Sequence, residues 1–314
     1  MSASRANGVA AYWDANKQKS TDPTFWMAHP LCRQRINQRI SGSPHEWPLD
    51  WFKRVHCKQP FKLGISWGSG LGAFERAAIR CGAVREIDAF DISPSSLEDA
   101  RRIARDEGIQ GINYQVGNFD DPEIAPRKYD IVFFQQSLHH VAALERLFRR
   151  LALALRPRAV FYLDEFVGPS RTDWKTEHLT LAQALLKMAP ADARVRDELT
   201  FPIEVNDPSE GVRSSEIEPF ARDFCEILDW RPYGGQILDL VIPCLKWDWA
   251  MSPEGFEYVR ALLDIEDREL DRDATTSHHA VAVGRLKPLY RLTRPLGRQA
   301  FAAAKRRIAR LRNR

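Results

Sequence analysis

The 314-residue chain has no C-x-x-C pair and only five cysteines, Cys32, Cys57, Cys81, Cys225 and Cys244. An odd number of widely spaced thiols argues against a disulfide framework or a zinc ribbon and predicts free thiols in a reducing cytoplasm. Long apolar runs are missing too. The N-terminus carries no apolar leader-like stretch, and the most apolar later segment, Gln236 to Leu245, is short and interrupted by Asp239. The sequence therefore offers no membrane span. Internal repeats and low-complexity tracts are absent, and 44% hydrophobic with 28% charged residues is the composition of a folded globular protein.

Acid is missing from residues 287–314, which hold Lys287, Arg291, Arg294, Arg298, Lys305, Arg306, Arg307, Arg310, Arg312 and Arg314. The formal charge of +4 becomes −6 once those ten are set aside. A slightly acidic body does not resemble a protein built around a nucleic-acid groove, so no nucleic-acid partner is expected. The tail also places Leu289, Leu292, Leu296 and Phe301 among its basic residues, a pattern open to two readings, a solvated terminus or peripheral contact with an anionic membrane on the cytoplasmic side.

The length exceeds the roughly 150 residues of a typical domain but fits one α/β domain with a large appended substrate region. Residues 1–60 mix aromatic and polar residues and read as an N-terminal helical cap, with a helix from about His29 to Ile40 that stops at Gly42 and Pro44. From Phe61, short apolar runs alternate with helical segments, the pattern of a parallel sheet. Strands are predicted at Phe61–Trp67, Glu86–Ile92, Ile112–Val116, Asp130–Gln135 and Ala159–Phe166, with helices near 72–81, 94–107 and 142–155. Residues 61–168 form the expected nucleoside-binding core. In the substrate region, 169–286, the pattern predicts helices near 173–188 and 214–223, the second with a Ser215-x-x-Glu218 capping box. Strand-like pieces at 224–233 and 237–245, and a last strand at His279–Leu286, follow.

The first strand runs into Gly68-Ser69-Gly70-Leu71-Gly72, a turn in which glycine lets a ligand approach the backbone. Nineteen residues after Gly72, Asp91 ends the second strand, where a carboxylate can accept hydrogen bonds from ribose hydroxyls. Together they predict a nucleoside site. Gly68, Gly70 and Ala73 also satisfy the dinucleotide fingerprint, which keeps an NAD(P)-dependent dehydrogenase open as an alternative. No Tyr-x-x-x-Lys pair is present to handle the proton of a hydride acceptor.

At this point the sequence resembles the class I S-adenosylmethionine-dependent methyltransferases, of the bacterial type associated with glycan or secondary-metabolite clusters. The resemblance runs from about Tyr12 to Leu286. It is carried by the Ile65–Arg76 segment, Asp91-Ile-Ser93, Tyr129-Asp-Ile-Val132, Ser137-Leu-His-His-Val141, Leu155-Arg-Pro157, Glu165-Phe-Val-Gly-Pro169, Asp207-Pro-Ser-Glu210 and Val212–Ile217. It implies a Rossmann-like seven-stranded sheet, six strands parallel and one antiparallel, with helices on both faces. It also implies S-adenosyl-L-methionine as methyl donor, lying against Ser66, Gly68, Gly70, Gly72, Asp91, Ile92, Asn118, Phe119 and Gln135. Two positions depart from the family pattern. Ser66 stands where many members have an acid that contacts the amino group of the methyl donor, and Asn118 stands where an Asp often meets the adenine amine. A methyltransferase-like protein that binds the methyl donor or a partner without turnover is a second alternative.

The fourth strand ends in Gln135-Gln136-Ser137-Leu138-His139-His140, polar groups at the edge where open α/β sheets bind ligands. Transfer to a hydroxyl requires removal of its proton, which histidine can do near neutral pH. His139, His140 and Glu165 are thus the candidate bases, each with a structural alternative as a cap or ion-pair partner. Arg213 and Tyr233 are candidates for holding a small polar, saccharide or glycolipid acceptor. No metal is expected, because adjacent histidines in a strand point to opposite faces.

Overall fold

The computed structural model describes residues 3–16, 25–120, 124–201, 207 and 209–287. Three helices, α1 (Ala3–Asn16), α2 (Pro30–Ser41) and α3 (Pro48–His56), precede the sheet. The alternating core follows as β1 (Phe61–Trp67), α4 (Ala73–Arg80), β2 (Val84–Asp91), α5 (Pro94–Asp106), β3 (Ile112–Val116), β4 (Tyr129–Gln135), α6 (Leu144–Ala154) and β5 (Leu155–Phe166). Then come α7 (Thr176–Met188), α8 (Ile217–Phe224), β6 (Cys225–Gly234), α9 (Leu238–Val241), α10 (Trp247–Ala250), α11 (Pro253–Arg272) and β7 (His279–Leu286).

The seven strands form one sheet in the order β3-β2-β1-β4-β5-β7-β6. β1 through β5 pair parallel, while β7 runs antiparallel to both β5 and β6. The expected six-parallel, one-antiparallel sheet is therefore present. Side chains alternate between its two faces, as strand geometry requires. Ile65, Trp67, Val132, Phe134 and Phe161 pack against Leu147, Phe148 and Leu151 of α6 and Phe220 and Phe224 of α8. On the other face Ile87, Ile131, Phe133 and Tyr162 join Ile36 of α2, Phe52 of α3 and Leu262 of α11.

Local signals set the helix ends. α5 begins at Ser93, whose Oγ accepts the Ser96 N–H at 3.1 Å, with Pro94 in the first turn. α2 ends at Gly42, at φ +86°.

Two expectations are corrected. Residues 237–245, expected as a strand, form α9 and a following 3-10 turn. The cause is a carboxylate distant in sequence: Glu266 of α11 accepts N–H bonds from Gly235, Ile237 and Leu238 and so caps the α9 start. The predicted Ser215/Glu218 capping box does not form. Ser215 Oγ instead donates to Asp173 at 2.8 Å, and Glu218 pairs with Arg222.

Among the described residues no helix is long and apolar enough to cross a membrane. All five cysteines are free. The basic stretch 288–314, with its expected membrane contact, lies outside the described residues.

Candidate active site

The carboxyl ends of β1 to β4 open onto a cavity of about 1160 Å³. That exceeds the roughly 300–1,000 Å³ of a pocket for one small ligand, leaving room for a nucleoside and an acceptor together. The sheet contributes Gly68 to Leu71, Asp91, Ile92, Asn118 to Asp120 and Gln135 to Ser137. α1 and α2 close one side with Trp13, Arg33, Gln34 and Asn37, and the 169–211 region closes another with Arg171, Trp174, Ser209 and Glu210.

Three glycines shape the loop for different reasons. A Cβ on Gly68 would fall 2.5 Å from Ser137 Cβ, and one on Gly72 would fall 2.2 Å from the Tyr114 hydroxyl, so protein neighbours demand glycine there. Gly70, at φ +49°, has nothing within 4 Å of that position and faces the cavity. Asp91 fastens the turn: its Oδ2 accepts the Gly70 N–H at 2.7 Å and its Oδ1 the Ser93 N–H at 2.8 Å. Burial raises its pKa, opposed by those N–H groups. Ser69 Oγ is buried in the same wall with no partner. An open backbone cradle, a carboxylate at the end of β2 and an unsatisfied hydroxyl fit the nucleoside part of S-adenosylmethionine.

The other expected contacts divide. Ile92, Asn118, Phe119 and Gln135 line the cavity. The Asn118 carbonyl oxygen already accepts the Asp120 N–H at 2.9 Å. Ser66 is turned away from the cavity and donates at 2.5 Å to Glu75 of α4.

After β4 the chain makes a 3-10 turn at Leu138–His140, not a strand, so the two histidines converge with ring centroids 4.1 Å apart. The expected divergence of adjacent histidines does not hold here. His139, His140 and Glu210 bring ligand-type atoms within 4.8 Å of one another. Hydrogen bonds already engage both rings. His139 Nδ1 sits 2.5 Å from Glu165 Oε1, and His140 Nδ1 sits 3.1 Å from Ser209 Oγ.

Glu165 is wholly buried, and its Oε2 accepts the N–H groups of Ser137 and Leu138 at 2.8 and 2.5 Å. It does not reach the cavity, so its place is behind His139. Burial alone would lower the His139 pKa, but Glu165 and Glu210 outweigh it and push it up to about 9. Burial opposes ionisation of Glu165 as well, yet His139 and the N–H groups hold its pKa below the usual value. Burial and the cationic neighbour keep His140 below its ordinary value. One proton is thus held by His139, beside a neutral His140.

Neither expected acceptor residue lines the cavity. Arg213 is taken up by paired bonds to Glu145 and Glu216 and a third contact to the Ala142 carbonyl. Tyr233 is buried, donating to Asp164 Oδ1 at 2.7 Å. The arginine that does line the cavity from α2 is Arg33, 4.5 Å over the Trp47 ring and without a carboxylate partner among the described residues.

Comparison with known proteins agrees with this geometry. Residues 65–210, from the glycine turn to Glu210, match the family described as a methyltransferase domain. The chain is 24% identical to human N-terminal Xaa-Pro-Lys N-methyltransferase 1 over 48% of its own length and 72% of that protein's. It is 27% identical to an uncharacterised RNA methyltransferase of Listeria monocytogenes over 31% of its length, a match spanning only 18% of that relative. In fold it resembles a chain from the complex between the Haloferax volcanii Trm112 methyltransferase activator and a protein assigned as a methyltransferase. That likeness has 15% identity and a TM-score of 0.50, covering 88% of this chain and 97% of that one. The family matched is one of methyl transfer, which does not favour the dehydrogenase alternative. With the seven-stranded sheet and the cradle at Gly68 to Asp91 already in place, residues 65–210 are a methyltransferase domain, set in a Rossmann-like fold of the class I type.

Proposed function

We propose that the protein transfers a methyl group to a hydroxyl of a small polar or saccharide-bearing acceptor, with His139 as the base. The observation that carries this reading is the Glu165–His139 pair at the cavity wall. S-adenosylmethionine supplies a methyl group made electrophilic by a positively charged sulfur. An amine acceptor can shed its proton to water before attack, whereas a hydroxyl must lose it as the new bond forms, so a built base favours oxygen.

Glu165 fixes the ring through Nδ1, which leaves Nε2 to face the cavity and Glu210, 3.6 Å away. That orientation is what a general base requires, with the carboxylate behind it stabilising the imidazolium once the proton arrives. Trp13 of α1 stands edge-on to His140 at 5.2 Å and, with Trp174, lines this end of the cavity. Positioning of the two substrates supplies the rest of the rate. Arg33 offers a fork of N–H donors to a carboxylate, a phosphate or vicinal hydroxyls on the acceptor.

The test is transfer of labelled methyl to a panel of sugars, sugar acids and amines. Labelled methyl ethers formed by the wild type and lost in His139→Ala support the reading. Exclusive N-methylation, or full activity without His139, refutes it.

A further inference from the structure

Ser66 near the end of β1 and Glu75 in the first turn of α4 meet in a hydrogen bond beside the cavity. We propose that Glu75 supplies the carboxylate that grips the α-ammonium group of the methyl donor, the role that the methyltransferases this sequence resembles give to the position of Ser66. This inference rests on the assignment of S-adenosylmethionine to the cavity.

Glu75 stands in the first turn of α4, directly after the glycine loop, and its side chain is 1% exposed. One oxygen, Oε1, accepts the Ser66 hydroxyl at 2.5 Å. The other, Oε2, is buried without any partner, and the residue lines the cavity. A buried carboxylate with an empty oxygen needs either a proton or a cation. Burial raises its pKa to about 7, opposed by the Ser66 hydroxyl, so the group is poised to ionise when a positive charge arrives.

The sheet order tells which positive charge that is. Asp91 at the end of β2 marks the ribose, and Asn118 beyond β3 marks the base beside it. His139 after β4 marks the acceptor, and hence the side on which the methyl is presented. The remaining direction from the ribose, over the β1 loop toward α4, belongs to the amino-acid arm, whose α-amino group is protonated at neutral pH. A strand-end acid would reach it from Ser66; here a hydroxyl at that position steers a longer acid from the helix.

The experiment is a binding cycle read by calorimetry, without turnover. Wild type and Glu75→Gln are each titrated with S-adenosylhomocysteine and with its des-amino analogue, which keeps the nucleoside, the thioether and the carboxylate. We expect Glu75→Gln to weaken S-adenosylhomocysteine about 10- to 100-fold, the range for a buried hydrogen bond to a charge. The des-amino analogue should bind both proteins alike. Equal losses for the two ligands, or none for either, overturn the proposal and leave the methyltransferase assignment intact. S-adenosylmethionine is titrated alongside, and a loss for it with none for S-adenosylhomocysteine overturns the proposal too, because that places the sulfonium beside Glu75. The wild type alone gives a second check: a des-amino analogue that binds it as tightly as S-adenosylhomocysteine refutes the contact without any variant. If the wild type binds no S-adenosylhomocysteine, the parent assignment falls and the proposal falls with it.

Discussion

Glu165 holds His139 from behind: one carboxylate oxygen lies 2.5 Å from the ring Nδ1, while the other accepts two backbone N–H groups of the same turn. Its geometry lets a residue with no access to the cavity govern one that lines it. Replacing Glu165 with Gln removes the charge but preserves the shape. The loss in kcat should be about 10²- to 10⁴-fold, as for removal of general-base function, with S-adenosylhomocysteine affinity unchanged. Steady-state kinetics and calorimetry on the same preparation check both halves.

The pH profile separates the two histidines. His139 must be neutral to act as a base, and the neighbouring carboxylates hold it protonated up to about 9. The rate of hydroxyl methylation should therefore climb with pH, tenfold per unit, and level off near that value. His140, held below its ordinary pKa by burial and by His139, would as base give a rate already flat at neutral pH. Measuring kcat/KM from pH 6 to 10 decides between them.

Stability in the absence of ligand should report on Glu75. Its folded-state pKa is raised by burial from 4.5 to about 7. Stability contributed by the protonated form is therefore complete below 4.5 and lost as pH rises through about 7. The groups facing it are Ser66 on β1, Asp91 on β2, Arg76 on its own helix and Tyr114 on β3. Thermal unfolding of Glu75→Gln should lack that decline, so the variant gains on the wild type between pH 5 and 8. A parallel decline in both proteins would contradict the assignment.

Arg213 is a structural arginine in this account. Its bonds to Glu145 and Glu216 tie α6 to the segment that leads into α8. Arg213→Ala should cost about 1–2 kcal/mol of stability, as for a partly buried charged hydrogen-bond network. KM for the acceptor should stay the same. Arg33→Ala should do the reverse, raising KM while leaving the melting temperature within a few degrees.

How far the sequence could be read depends on how local each signal is. The strands of the core announced themselves by short apolar runs, and the glycine turn with Asp91 pointed to a wall of the cavity, because both are encoded within a few neighbouring residues. α9 was not legible as a helix, since its cap comes from Glu266, distant in sequence. Nor did α11 stand out. The convergence of His139 and His140 depended on a 3-10 turn that periodicity does not reveal. Glu75 does carry a local signal: an acid on the buried side of a short helix, three residues before Ala78, with a serine where the strand should end in an acid. Arg33 and Arg213 look alike in sequence, and only the surrounding carboxylates of one and the cavity beside the other separate them.

The cradle between Gly68 and Asp91 decides what the cavity binds. Its most direct test is titration of the purified protein with S-adenosylhomocysteine by calorimetry, alongside NADH and the Asp91→Ala variant. The account predicts one-to-one binding of S-adenosylhomocysteine to the wild type, none of NADH, and loss of the signal in the variant. Binding of NADH with no heat from S-adenosylhomocysteine would contradict it.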